Sequence, residues 1–188
     1  MITDAYRILT PSEYLALLDA IPKEHHEMQV RTMMNTGMRY RELQAFADNL
    51  PWFDAKNNAI TLPAGYCKTN ISRHVHLTPT FSRELAKYLL RHRSLEFPDR
   101  HAMNQNLKRW WRSQGETQYS SLVEWLPTPK TFRKSWESWL LMADYSIHKV
   151  AMSQGHTVAV SEHHYANLSP RLKSEMEQVK KMTEGWGR

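Results

Sequence analysis

Apolar residues recur at helical spacing over most of this chain, and proline and glycine mark the interruptions. Tyr14, Leu15, Leu17 and Leu18 form one apolar face directly behind Thr10-Pro11. A threonine followed by proline predicts a helix start. The hydroxyl accepts from a free backbone N–H of the first turn, and proline at the first helical position has no N–H to leave unpaired. Thr78-Pro79, Thr128-Pro129 and Ser169-Pro170 repeat the signal, and Glu13 completes a capping box with Thr10. The pattern predicts further helices from about Lys23 to Thr36, Arg41 to Ala47, Pro79 to His92, Arg100 to Ser113, Pro129 to Met142, Ile147 to Gln154 and Pro170 to Met182. Gly37 and Gly155 are the expected stops of two of them, because a helix often ends on a residue with positive φ.

Two short stretches near the middle have strand character instead. Ala59-Ile60-Thr61-Leu62 follows an Asn57-Asn58 turn, and Arg73-His74-Val75-His76-Leu77 comes soon after. Gly65–Asn70 between them reads as a turn or a short middle strand. The expected fold is therefore α+β, mostly helical, with a small three-stranded antiparallel sheet. No repeat or low-complexity tract divides the chain, and residues 1–188 read as a single domain.

Composition narrows the partners. The 188 residues carry a net charge of +6, and the sequence pI is about 9.5. A basic balance favours an anionic partner, with nucleic acid ahead of a membrane surface, although a merely basic soluble protein fits the charge equally well. Cys67 is the one cysteine, so no internal disulfide can form, which suits a reducing compartment. The N-terminal MITDAYRILT has no apolar signal core, and no apolar run reaches membrane-spanning length. These features predict a soluble, intracellular protein.

One constellation carries chemistry. Thr36-Gly37-Met38-Arg39-Tyr40-Arg41-Glu42 sets an arginine just past a glycine, and Arg133 follows Lys130 by three residues. Gly155-His156 precedes Tyr165 by nine residues, counted from the histidine. Arginines hold a phosphate bidentately and stay charged at any working pH. A histidine can bond the phosphate or shuttle a proton, and a tyrosine can attack phosphorus and keep the product covalently.

In this order and spacing the motifs resemble those of the tyrosine recombinases, the phage integrase family. Thr36 to Glu42 matches the family's Thr-Gly-x-Arg-x-x-Glu. Lys130-Thr131-Phe132-Arg133 stands where the family has His-x-x-Arg, and lysine replaces the histidine. Gly155-His156 and Tyr165 match the third motif. The resemblance spans about Leu9 to Ser169. It implies the family's catalytic fold and cleavage of duplex DNA through a 3′-phosphotyrosyl link. Tyr165 would be the nucleophile, and Arg39, Arg133 and His156 would bind the phosphate. Lys68 matches the family's β-hairpin lysine and would protonate the leaving oxygen. Lys130 would take the place of the second histidine, as a point charge and a poorer proton acceptor. Glu42 would support Arg39. The resemblance also implies no cofactor and no metal and action in the cytoplasm on the nucleoid, and it leaves viral, plasmid and chromosomal origins open. Most members carry an N-terminal core-binding domain. This chain is expected to consist of the catalytic domain alone, without a core-binding or arm-binding domain.

Other readings stay open at this level. Lys56, Lys68 and Arg73 all lie near the sheet, and any of them could be a solvated charge. Trp136, Trp139, Leu140 and Leu141 beside Arg133 have the spacing of a packed core. His156 with His163 and His164 suggests a metal site, but no Cys or Asp completes the ligand set. A DNA-binding module without turnover, and a type IB topoisomerase-like relaxing enzyme, are the rival functions. Leu172, Met176, Val179 and Met182 make one apolar face along 170–183. That face either folds back on its own domain or docks on a second copy during self-assembly on DNA.

Overall fold

The computed structural model describes residues 7–114, 125–165 and 170–187, without the side chains of 163–165 and 170–171. Helices α1 (Pro11–Asp19), α2 (Glu24–Thr36) and α3 (Tyr40–Asp48) come first. Strands β1 (Phe53–Asp54), β2 (Ala59–Leu62) and β3 (Arg73–His76) follow. Helices α4 (Pro79–His92), α5 (Arg100–Ser113), α6 (Pro129–Met142), α7 (Ile147–Gln154), α8 (Val158–Tyr165) and α9 (Met176–Thr183) complete the order.

Helix α6 is the central element, with ten of its fourteen residues buried. Phe132, Trp136, Trp139 and Leu140 are buried, and α2, which buries Val30, Met33 and Met34, packs along it. The chain before α1 is laced to the same helix. The Leu9 N–H donates to Ser135 Oγ at 2.8 Å, and Trp139 Nε1 donates to the Leu9 carbonyl at 3.0 Å. The Thr-Pro starts behave as their chemistry dictates. Thr10 and Glu13 form the capping box, Thr78 Oγ1 accepts from the Phe81 N–H, and the Thr128 N–H donates to Thr131 Oγ1. Ser169 lies outside the described residues.

The sheet is antiparallel in the order β1-β2-β3, with Ile60 paired to both Phe53 and Val75. Its third strand is not the Gly65–Asn70 stretch considered above. That place is taken by the 3₁₀ turn Ala64–Tyr66 and a loop, and two residues ahead of the Asn57-Asn58 turn supply β1 instead. A strand of two residues is too short to show alternation.

Two helical readings also change. The stretch 158–165 forms α8, which the apolar pattern did not mark. The C-terminal segment begins as a 3₁₀ stretch, Pro170–Glu175, before α9. Its apolar face lies on its own domain. Leu172 and Val179 are fully buried, α9 rests on α6, and Trp186 is buried with Nε1 donating to the His76 carbonyl at 2.8 Å. Glu175 accepts from the Ser12 N–H and hydroxyl at 2.8 and 2.7 Å. Tyr145 Oη donates to the Thr183 carbonyl at 2.6 Å. Among the described residues, no helix is long and apolar enough to cross a membrane.

Candidate active site

The site forms where two helices end. Helix α2 stops at Gly37 (φ 58°) and α7 stops at Gly155 (φ 68°). Both are in the left-handed region, which a β-carbon disfavours. Both are also closely approached. A Cβ on Gly37 would stand 2.4 Å from the Gln154 side chain, and one on Gly155 would stand 2.9 Å from the Arg73 guanidinium. Glycine is needed at each position on two separate grounds.

A helix C-terminus exposes carbonyls without partners and carries partial negative charge. Here three arginines from three elements meet those carbonyls. Arg73 on β3 donates from Nε to the Ser153 carbonyl at 3.0 Å. Arg133 on α6 donates to the Gln154 carbonyl, and also to the Gly37 carbonyl at 2.8 Å. Arg39, the residue before α3, donates to the Gly155 carbonyl at 3.0 Å.

One carboxylate ties this group together. Glu42 is buried and accepts from both terminal nitrogens of Arg73 at 3.0 and 2.7 Å. It also accepts from the Arg39 guanidinium at 3.0 Å and the Arg39 backbone N–H at 2.7 Å. Burial alone would push the Glu42 carboxyl up. The hydrogen bonds and charge of Arg73, with the N–H and charge of Arg39, outweigh burial and hold it below the usual carboxylate range. Burial, then the neighbouring Arg39 charge, lowers the Arg133 guanidinium to about 10, so it remains cationic at neutral pH. Two arginines thus bind a single glutamate directly, and Arg133 lies within reach of its charge. The contacts to Glu42 and Gly155 engage two of the five N–H groups of Arg39, and its side chain is 28% exposed. This is the electrostatics of an anion site.

His156 follows Gly155 directly. Its Nε2 lies 3.2 Å from the buried Glu137 carboxylate of α6, and its Nδ1 lies 3.1 Å from the Thr157 carbonyl. Lys130 is exposed in the first turn of α6, on the face that carries Arg133 three residues on. Lys68 is exposed in the β2–β3 loop, next to Cys67, whose sulfur accepts from Arg73 at 3.2 Å. Tyr165 is the last residue of α8, and its side chain lies outside the described residues. The metal reading falls outside them too, through the side chains of His163 and His164. The structure therefore brings Arg39, Glu42, Arg133 and His156 to one place, with Lys68 and Lys130 on exposed elements at its margin.

Residues 7–171 match the sequence model of the phage integrase family. The chain belongs to that family. Among solved structures, the fold is similar to that of XerA recombinase, with a TM-score of 0.68 at 19% identity over 92% of this chain and 62% of that one. It is also similar to the Tn1549 transposon integrase in complex with a circular intermediate DNA, with a TM-score of 0.67 at 16% identity over 92% and 65%. XerH recombinase bound to a palindromic difH substrate gives 0.62 at 16% identity over 89% and 52%. At these identities the likeness is one of fold. The chain spans roughly half to two thirds of the lengths of these structures. No curated protein matches it.

For this integrase-family chain the sequence reading overlooked two buried charges. Arg73, which the pattern left open as a solvated charge, is buried and joins β3, α3 and α7. Glu137 sits unmarked inside the tryptophan stripe of α6. The available signal was the charge itself, since a carboxylate among Trp136, Trp139 and Leu140 must find partners inside.

Proposed function

We propose that this chain is the catalytic part of a site-specific recombinase or integrase that cuts and rejoins duplex DNA through Tyr165. The observation that carries the reading is the trio of Arg39, Arg73 and Arg133 around one buried carboxylate, in a chain of the phage integrase family. Arg73 is consumed by Glu42 and Ser153. Arg39 and Arg133 keep donors for a phosphate. The Tyr165 phenol attacks the scissile phosphorus as its proton passes to His156, Lys130 or the surroundings of the phosphate, the 5′-oxygen leaves, and the DNA 3′-phosphate stays on the tyrosine. Arg39, Arg133 and His156 steady the charge that grows on the non-bridging oxygens. Lys68 supplies the proton to the leaving oxygen from its exposed loop. The phosphodiester energy is kept in the tyrosyl link, so a 5′-hydroxyl from another strand can reseal it without a cofactor.

The same reading includes action on chromosomal or mobile-element DNA in the cytoplasm, and self-assembly on that DNA. The segment 170–183 is the candidate contact between copies. In the single chain it rests on α6, so exchange would require the Glu175, Tyr145 and Trp186 contacts to be released.

A nicked suicide duplex carrying the target site tests the reading. A covalent protein–DNA species after denaturation supports a recombinase. Tight binding with no covalent species over long incubation supports a DNA-binding module. Resealing only onto the original strand, with relaxation of supercoiled plasmid, supports a type IB-like enzyme.

A further inference from the structure

Glu137 is the buried charge that the chemistry above does not use. It is 1% exposed, on a helix with ten of its fourteen residues buried. Its Oε1 lies 3.2 Å from His156 Nε2 and accepts from the Ser161 hydroxyl at 2.8 Å. Ser161 is itself fully buried, on α8, one helical turn before Tyr165. A single carboxylate oxygen thus links the helix of Arg133, the histidine that follows Gly155, and the helix that ends at Tyr165.

We infer that Glu137 is a positioning residue for His156. A carboxylate in an apolar core is costly unless it is paired and hydrogen-bonded, and replacing it with an apolar residue of similar size would be the cheaper solution for stability alone. His156 and Ser161, which it meets, both belong to the α7–α8 junction, which the proposed chemistry needs in a fixed place. A charged partner on one side of an imidazole fixes the orientation of the ring. Glu137 stands 3.2 Å from Nε2 and Ser161 holds the carboxylate, so the ring is set from the core side. Among the described residues, Arg133 on α6 and Arg39 beside Gly155 are charged neighbours, and Arg39 holds Glu42 and the Gly155 carbonyl while Arg133 holds two backbone carbonyls.

The role of Glu137 in strand cleavage rests on the recombinase reading, so the test has one arm that needs no DNA. Glu137→Gln and Ser161→Ala are made in the full chain, and each is checked for the wild-type unfolding transition. Long-range 1H–15N spectra of the free protein should show the wild-type His156 proton on Nε2. In Glu137→Gln that preference should be lost, whether or not the protein cleaves DNA. In single-turnover cleavage of the suicide duplex, Glu137→Gln should lose roughly 10–100-fold, by analogy with carboxylates that orient metal-ligating histidines. DNA affinity should stay within about twofold of wild type, as expected for a group that touches no phosphate. With His156 already changed to alanine, Glu137→Gln should cost almost nothing more. Ser161→Ala should reproduce the loss in part and keeps the inference testable if the glutamine variant fails to fold. An unchanged His156 spectrum in Glu137→Gln, or an equal loss with and without His156, would overturn the inference. An absence of cleavage by wild type, with the spectral change intact, would overturn only the recombinase reading.

Discussion

Arg73 and Lys68 are two cations five residues apart on the same loop and strand, and they differ in burial and in partners. Arg73 is buried, and its guanidinium is held by Glu42, the Ser153 carbonyl and Cys67. Lys68 is exposed in the turn. A buried cation is fixed by its partners and cannot leave them cheaply, whereas an exposed lysine on a flexible four-carbon stem can move to meet a substrate. The contrast divides the site's charges into those that build it and those that act from it. Arg39 and Arg133 stand between, anchored through some donors and open through others.

Breaking the buried side should have the largest effect. Arg73→Ala leaves Glu42 in the core with half its partners, and should destabilise the domain by about 3–5 kcal/mol, the cost of splitting a buried pair. Denaturant unfolding measures it. Glu42→Gln should fall in the same range, because it strands two arginines. It should also change the response to acid. The Glu42 carboxyl is held low in the folded state, so its stabilisation is complete above the ordinary carboxylate range and disappears as pH falls through the lowered folded value. The wild type should lose stability on acidification more steeply than Glu42→Gln. Parallel acid-unfolding curves would show that the pair contributes nothing.

A smaller effect is expected at Gly155. Gly155→Ala places a non-glycine residue at φ 68° and a methyl 2.9 Å from the Arg73 side chain. The backbone term alone should cost roughly 1–2 kcal/mol, read as a drop in Tm.

The exposed side should show the reverse pattern. Lys68→Ala should change stability by less than about 0.5 kcal/mol, as surface substitutions do. It should still slow formation of the covalent species, and a substrate whose leaving group needs no proton should restore the rate. Lys130→His should retain more cleavage than Lys130→Ala, measured in single turnover across pH, since histidine is the residue expected there from the family motif. The smallest difference should be between the DNA affinities of all these variants at fixed salt, because each removes at most one phosphate contact.

The same contrast explains what could be read from the sequence. Helix starts were legible because Thr-Pro carries its own chemistry, and the ends of α4, α5, α6 and α7 fall where the pattern put them. The spacing of Arg39, Arg133, His156 and Tyr165 was legible because it matches the motifs of the phage integrase family. Partners were not. Arg73 and Lys68 look alike as letters, and only the fold of β3 against α7 decides which is buried. Glu137 was hidden by the tryptophans around it. Helix α8 was missed because Val158, Ala159 and Val160 run consecutively rather than at helical spacing. The apolar face of 170–183 was visible, but periodicity says that a face is covered and not by what.

The central claim is that Tyr165 attacks DNA within this arginine frame. The most direct measurement is a denaturing gel of the nicked suicide duplex incubated with wild type, Tyr165→Phe and Arg133→Ala. Wild type should give a covalent band, Tyr165→Phe none at equal DNA occupancy, and Arg133→Ala a band forming roughly 10²–10³ times more slowly. A covalent band from Tyr165→Phe, or a full-speed band from Arg133→Ala, would contradict the account.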